Sequence, residues 1–294
     1  MIHFSVAELD RFAALGTDSQ KELSRLERLI DRGALNPEHT FVATEAGRDV
    51  GRISLITLPD GLVKAYMWTS VIGGVDSAPI HDALISGVME AARSAGIAEV
   101  ETTIVDRDEQ FPDDLRAAMS RHNWEVDSER LMLEIPARSR PHAAQIADVS
   151  PHDDAVVEVM ALAMAESLDD YDRSQVAKLG PSAAASQYRD MMAQGASDQT
   201  WLIHWGDDGP NGIAAVLNFP DELCLGYLGV DPRHRQHGIG RKLTEALINR
   251  AQERGISVAT ASVAVGNKPI RATLEGVGFN VVSRRTDFLV RVTE

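Results

Sequence analysis

Two hydrophobic periodicities alternate along the chain, and the alternation runs through it twice. TFVATEAGRDVGRISLI (Thr40–Ile56) spaces apolar residues two apart around a polar turn and predicts strand, turn, strand. ALISGVMEAARSAG (Ala83–Gly96) spaces them three and four apart and predicts an amphipathic helix ended by glycine, after which IAEVETTI returns to a strand. The second half repeats the order. TWLIHWGDDGPNGIAAVLNF (Thr200–Phe219) predicts strand, turn, strand, KLTEALINRAQERG (Lys242–Gly255) the helix, and ISVATASV the following strand. At a constant offset of 159, Leu84 falls on Leu243, Val88 on Leu247, Ala92 on Ala251, Gly96 on Gly255 and Ile97 on Ile256. Each half closes on a short helix and a strand, Asp114–Ile135 and Pro269–Val292. A repeat this long is a duplicated domain, not a solenoid.

The polar, proline-containing stretch ARSRPHAAQ (Ala137–Gln145) separates the two copies, which sets expected domains at 1–140 and 141–294. The second copy is read as a strand near Gln145–Val149, a helix from Asp153 to Ser167, an acidic loop SLDDYDR and a helix from Ala183 to Gln194. Three strands, the loop RHRQHGIGR, and helix, strand, helix, strand complete it. Strand runs interleaved with helices predict an α/β or α+β domain with a mixed sheet.

The composition narrows the function. Net charge is −15, from 29 Lys and Arg against 44 Asp and Glu, so phosphate backbones are repelled and no nucleic-acid role is expected. The same field welcomes cationic substrates. No apolar run approaches the ~18 residues of a membrane span, so no membrane association is expected. The single cysteine, Cys224, allows no internal disulfide. Together these predict a cytoplasmic protein.

Candidate chemistry concentrates in YLGVDPRHRQHGIGRKLTEALINRA (Tyr227–Ala251). A strand ends at Val230 and Pro232 stops it. Arg235-Gln236-His237-Gly238-Ile239-Gly240 then opens a long helix. Glycines let the backbone approach a ligand, successive free N–H groups form an anion nest, and the helix dipole adds positive potential at the same end. Arg235 and Arg241 are expected to bring mobile charge to its edges. The dinucleotide fingerprint would need a third glycine that is missing here. His234 and His237 have no third ligand beside them, so no metal is expected. On a period-two reading Glu222, Cys224, Gly226 and Leu228 share one strand face, which makes Glu222 the candidate general base. Cys224 is expected to be inert packing.

Arg235 to Gly240 resembles the coenzyme motif of the GNAT superfamily of N-acetyltransferases, Q/R-x-x-G-x-G/A. Asn267 and Gly278-Phe279 match that family's downstream segment. The resemblance covers Gln145–Glu294, and the first half only in element order. It implies two tandem GNAT-like domains, each a mixed, mostly antiparallel sheet flanked by helices, the first degenerate and structural, the second binding acetyl-CoA. By the same resemblance Leu228, Gly229 and Val230 would hold the pantetheine arm, the amides from Gln236 through Arg241 the pyrophosphate, and Asn267 would lie along the pantetheine. Many members carry a tyrosine acid seven residues after the asparagine; here that position is Leu274. The implied function is acyl-CoA-dependent N-acyl transfer, expected to be acetyl transfer from acetyl-CoA to a small-molecule primary amine. An acyl-CoA-binding regulatory module without turnover and a transferase for a protein lysine or N-terminus remain open, as does the oligomeric state. Duplicated members include the mycothiol synthases, which makes a thiol-sugar amine one candidate acceptor. In the family, the first two helices wall the acceptor side. Here that stretch carries Glu166, Asp169, Asp170 and Asp172 beside Tyr171, and the negative field of these four carboxylates is expected to capture a cationic amine, with Asp169 and Asp170 the pair whose change to Asn would test it.

Overall fold

The computed structural model describes residues 2–58, 61–66, 71–141, 144–193, 200–219 and 221–292. The chain forms two compact units, residues 1–129 with 283–294, and residues 130–282. In chain order the first half contributes β1 (Ile2–Val6), α1 (Leu9–Ala13), α2 (Ser19–Asp31), β2 (Leu35–Glu45), β3 (Arg48–Thr57) and β4 (Val63–Tyr66). There follow α3 (Ser77–Ser94), β5 (Glu99–Val105), α4 (Pro112–Arg121) and β6 (Glu125–Pro136). The second half contributes β7 (Ile146–Val149), α5 (Asp154–Ala165), α6 (Asp170–Leu179), α7 (Pro181–Ala193), β8 (Trp201–Gly206), β9 (Gly209–Asn218) and β10 (Leu223–Val230). A 3-10 turn (Pro232–His234), α8 (Ile239–Glu253), β11 (Val258–Ala264), α9 (Lys268–Val277) and β12 (Asn280–Arg291) complete it.

Among the described residues each unit is a mixed, mostly antiparallel sheet with one parallel pair. In the first unit the strands run β1-β2-β3-β4-β5-β12, parallel only at β4–β5. In the second they run β6-β11-β10-β9-β8-β7, parallel only at β10–β11. The units therefore differ from two contiguous halves divided at 140. Each half gives its closing strand to the other unit's sheet: β12 lines up on β5 from Arg285 to Arg291, and β6 on β11 from Arg130 to Pro136. The apolar alternation of these strands explains why they are retained. Phe288 and Val290 are buried in the first core, and Leu131, Leu133 and Ile135 in the second. A fully buried leucine such as Leu133 contributes about 1.5–3 kcal/mol relative to its exposed state.

The helices follow from apolar spacing and caps. Leu243, Leu247, Ile248 and Ala251 put one face of α8 into the core. The expected acidic loop is largely a helix, α6. Asp169 caps it by accepting from the Tyr171 N–H at 3.0 Å, Asp170 and Asp172 suit the positive end of its dipole, and Gly180 ends it. The helix expected from Ala183 begins earlier, at Pro181, and Gln194 lies outside the described residues, as do 142 and 143 of the expected linker. No helix among the described residues is long and apolar enough to cross a membrane.

Candidate active site

The second unit opens along its parallel pair. β10 and β11 are in register from Leu223–Ala259 to Leu225–Ala261, and there the pairing stops. A bulge at Gly226 marks the same point on the β9 side, where the register shifts between Leu225 and Tyr227. Beyond it β10 stays paired with β9 through Val230, while among the described residues its other edge has no strand partner. A cavity of about 640 Å³ fills the gap. Leu228, Gly229 and Val230 line it from β10, and Ala261, Ser262 and Val263 from β11. Unpaired strand edges offer backbone donors and acceptors to an extended ligand.

The loop after β10 supplies the second component. Gln236 and Gly238 both adopt left-handed backbone, at φ 66° and 76°, the kind of turn in which successive amides form an anion nest. Gly238 is the N-cap of α8 and has no side chain to satisfy the helix's first N–H groups. The contrast within the unit is informative: α5, α6 and α9 start at Asp153, Asp169 and Asn267, whose side chains each accept one of those N–H groups. The first hydrogen bond inside α8 joins the Lys242 N–H to the Gly238 carbonyl, so the N–H groups of Ile239, Gly240 and Arg241 are left for another acceptor. Gly240 has no positive φ to require a glycine. A Cβ there would stand 3.7 Å from Thr273 Cγ2 and 3.9 Å from the Leu228 and Val230 side chains, all cavity residues. Its missing side chain keeps that space open. An anionic chain end on the uncapped helix and an extended arm along β10 fit these residues as acetyl-CoA would.

The expected residues fare differently. Gln236, Gly238, Ile239, Gly240, Arg241 and Asn267 all line the cavity; His237 does not, being exposed with its Nδ1–H donating to the His234 carbonyl at 3.3 Å. Asn267 is 5% exposed and caps α9. Arg235 lines the cavity, but its guanidinium is not a mobile charge. It donates to the Val230 carbonyl at 3.1 Å, to Glu166 at 3.1 Å and to Ala163 at 3.2 Å. It thereby ties the end of α5 to the end of β10. Arg241 keeps a largely exposed side chain beside Glu245. The period-two argument for Glu222 fails at the Gly226 bulge, which breaks the alternation between Glu222 and Leu228, and Glu222 does not line the cavity. Cys224 is also outside it, and burial pushes its thiol up. Leu274 is 1% exposed and faces the cavity, so an apolar wall stands where many GNAT members have a tyrosine.

The acceptor-side acids are corrected as well. Asp170 pairs with Arg173, its side chain 85% exposed, and does not line the cavity. Asp169 does, but one of its oxygens caps α6 and the other lies 3.5 Å from Arg130. Asp172, 4% exposed, is the buried acid of the set. Sequence reasoning did not single out Arg130, Tyr188 or Tyr227, which line the same cavity. Arg130 sits on β6 and donates to Ser262 Oγ and to the Ser262 carbonyl, both at 3.0 Å. The chain exchange of β6 brings it to this site, which no local motif records.

Residues 152–279 match the model of the Acetyltransferase (GNAT) family. It is similar to a mycothiol acetyltransferase of Clavibacter sepedonicus, 33% identical over 127 residues, covering 43% of this chain and 38% of the relative. A [Ribosomal protein bS18]-alanine N-acetyltransferase of Haemophilus ducreyi is 38% identical over 68 residues, covering 23% of this chain and 47% of the relative. The chain thus spans less than half the length of these curated relatives. Among solved structures, a GCN5-related N-acetyltransferase from Sphaerobacter thermophilus shares the fold at TM-score 0.61 and 14% identity, covering 100% of this chain and 96% of the other. A tandem GNAT protein from the clavulanic acid biosynthesis pathway does so at 0.57 and 17%, covering 100% and 99%.

Proposed function

We propose that the second unit transfers the acetyl group of acetyl-CoA to a small-molecule primary amine. The observation that carries this reading is the opened β10–β11 pair beside the uncapped N-terminus of α8. Amides of the helix and of the Gln236–Gly238 turn take the pyrophosphate, and the free edge of β10 pairs with the pantetheine arm. On that alignment the thioester would lie near the bulge at Gly226. A backbone N–H there can meet the carbonyl oxygen as it gains charge during attack by the amine. The C–N bond forms as the C–S bond breaks. A thiol with a pKa of about 8.5 leaves readily as thiolate, so the apolar Leu274 is compatible with turnover. Water in the open cavity takes the amine's proton.

The similarity to bS18-alanine N-acetyltransferases favours a second reading, a protein N-terminus as acceptor. One assay separates the readings: free thiol released from acetyl-CoA in the presence of glucosamine, tyramine, spermidine or a peptide beginning with alanine. Release with a small amine supports the proposal, and release with the peptide alone supports the second reading. Acetyl-CoA binding without release from any acceptor would leave a binding module and overturn both.

A further inference from the structure

The cavity extends past the coenzyme groups to a wall made by the start of α6, by α7 and by β10. Asp172 lies in the first turn of α6 and is 4% exposed. One of its oxygens accepts from Ser167 Oγ at 2.7 Å, and a carboxylate has lone pairs for more than this one bond. Tyr188 and Tyr227 line the same wall with ring centroids 5.6 Å apart, edge to face. Tyr171 packs on Tyr188 from outside, also at 5.6 Å. Among the described residues no cation forms an ion pair with Asp172. Arg130, whose charge reaches it, is held by Ser262 and Asp169.

A carboxylate buried without a cation is destabilising, and a bound ammonium removes that penalty. Aromatic faces attract the same cation. We propose that Asp172, walled by Tyr188 and Tyr227, seats a primary ammonium of the acceptor. The substrate class is then a small cationic amine whose charged end enters the protein. This inference deepens the acetyl-transfer reading and rests on it for the cavity's role.

The electrostatics agree. Burial, and then Asp169, push Asp172 up to about 6, opposed by Ser167 and Arg130. Among the described residues the titratable and charged groups facing it are Asp169 at the cap of its helix, Tyr171 on that helix, Arg130 from β6, Tyr188 from α7 and Tyr227 from β10. Burial, ahead of the Asp172 charge, raises both Tyr188 and Tyr227, so the two phenols stay neutral across the range in which Asp172 ionises. An ammonium beside a carboxyl favours its charged form and must lower its midpoint.

The test uses the full chain saturated with coenzyme A, which has no acetyl group to donate, with benzylamine as the probe and benzyl alcohol as its neutral control. The carboxyl carbon of Asp172 is followed by NMR across its titration, its signal assigned by its loss in Asp172→Asn. Benzylamine should lower the midpoint by about one pH unit or more, the scale of an opposite charge in contact; benzyl alcohol should leave it in place. Asp172→Asn should weaken benzylamine binding at least about tenfold, and Asp170→Asn should not. An unmoved midpoint in the parent protein, or equal affinity in Asp172→Asn, overturns the inference. If amines release free thiol while the midpoint stays fixed, the cation seat fails and acetyl transfer stands. If benzylamine moves the midpoint but no acceptor releases thiol, the seat stands and acetyl transfer fails.

Discussion

Replacing Gly240 with alanine should separate ligand binding from folding. The added methyl meets Thr273, Leu228 and Val230 at 3.7–3.9 Å, which is ordinary van der Waals contact, so the free protein accommodates it. Alanine is favoured over glycine in a helix by up to about 1 kcal/mol, and a first-turn position realises part of that. The melting temperature of the second unit should therefore hold or rise by up to about 2–4 °C. The same methyl occupies the channel between α8, β10 and α9. A tenfold loss of acetyl-CoA affinity, about 1.4 kcal/mol, is the expected minimum. At 100 times the parent's dissociation constant, acetyl-CoA stabilises the parent by about 2.7 kcal/mol; at ten times, the variant's new ratio, by about 1.4 kcal/mol. Calorimetric melting of both proteins at one ligand concentration should show the variant's shift cut to about half that of the parent. A variant that keeps the full ligand shift would show that Gly240 does not border the coenzyme. A variant that melts below the parent without ligand would show that the space around its Cα is not open.

Arg235→Ala should lower the second unit's stability by about 2–3 kcal/mol, because three carbonyls lose their donor. Arg241→Ala should leave melting nearly unchanged and weaken acetyl-CoA modestly; equal melting losses in the two would contradict the clamp assigned to Arg235. In the first unit, burial pushes His81 down from 6.5 to about 4, opposed by Asp114 and Asp82. The unfolded chain then takes up the proton first as pH falls. The first unit should lose stability from pH 6.5 toward about 4, and His81→Leu should flatten that limb in melts followed against pH. Acetyl-CoA should bind at one site per chain in titration calorimetry. By the repeat, Pro79, without an N–H, stands where Gly238 stands, and the fully buried His81 where Gly240 stands. A stoichiometry of two would refute that comparison.

The parts of the site that depend on local backbone chemistry were legible in the sequence. Gly238 and Gly240 announced an uncapped helix start after a strand, and the structure places both at the start of α8. The parts that depend on tertiary position were not. Glu222 was argued from strict alternation, and a bulge at Gly226 cancels that argument from a distance of four residues. Arg235 looked like a free cation because its three acceptors are carbonyls, which carry no side-chain signature. SLDDYDR looked like a loop because its acids are dense. The same acids suit a helix start, and helical spacing then turns Asp172 inward while Asp170 faces solvent. Arg130 could be found only by knowing that β6 belongs to the second unit's sheet.

That exchange of closing strands bears on how the molecule is made. During synthesis, residues 1–129 emerge first, but β5 finds its partner β12 only after residues 285–291 have been added. The first unit therefore cannot complete its fold while the ribosome is still building the second, although domains made in series ordinarily mature in order. Its β5 edge waits exposed for the whole translation of 130–282, a natural point for a chaperone to hold or for a premature stop to cause aggregation. A gene cut at the interdomain stretch would deliver two chains, each holding the strand the other needs.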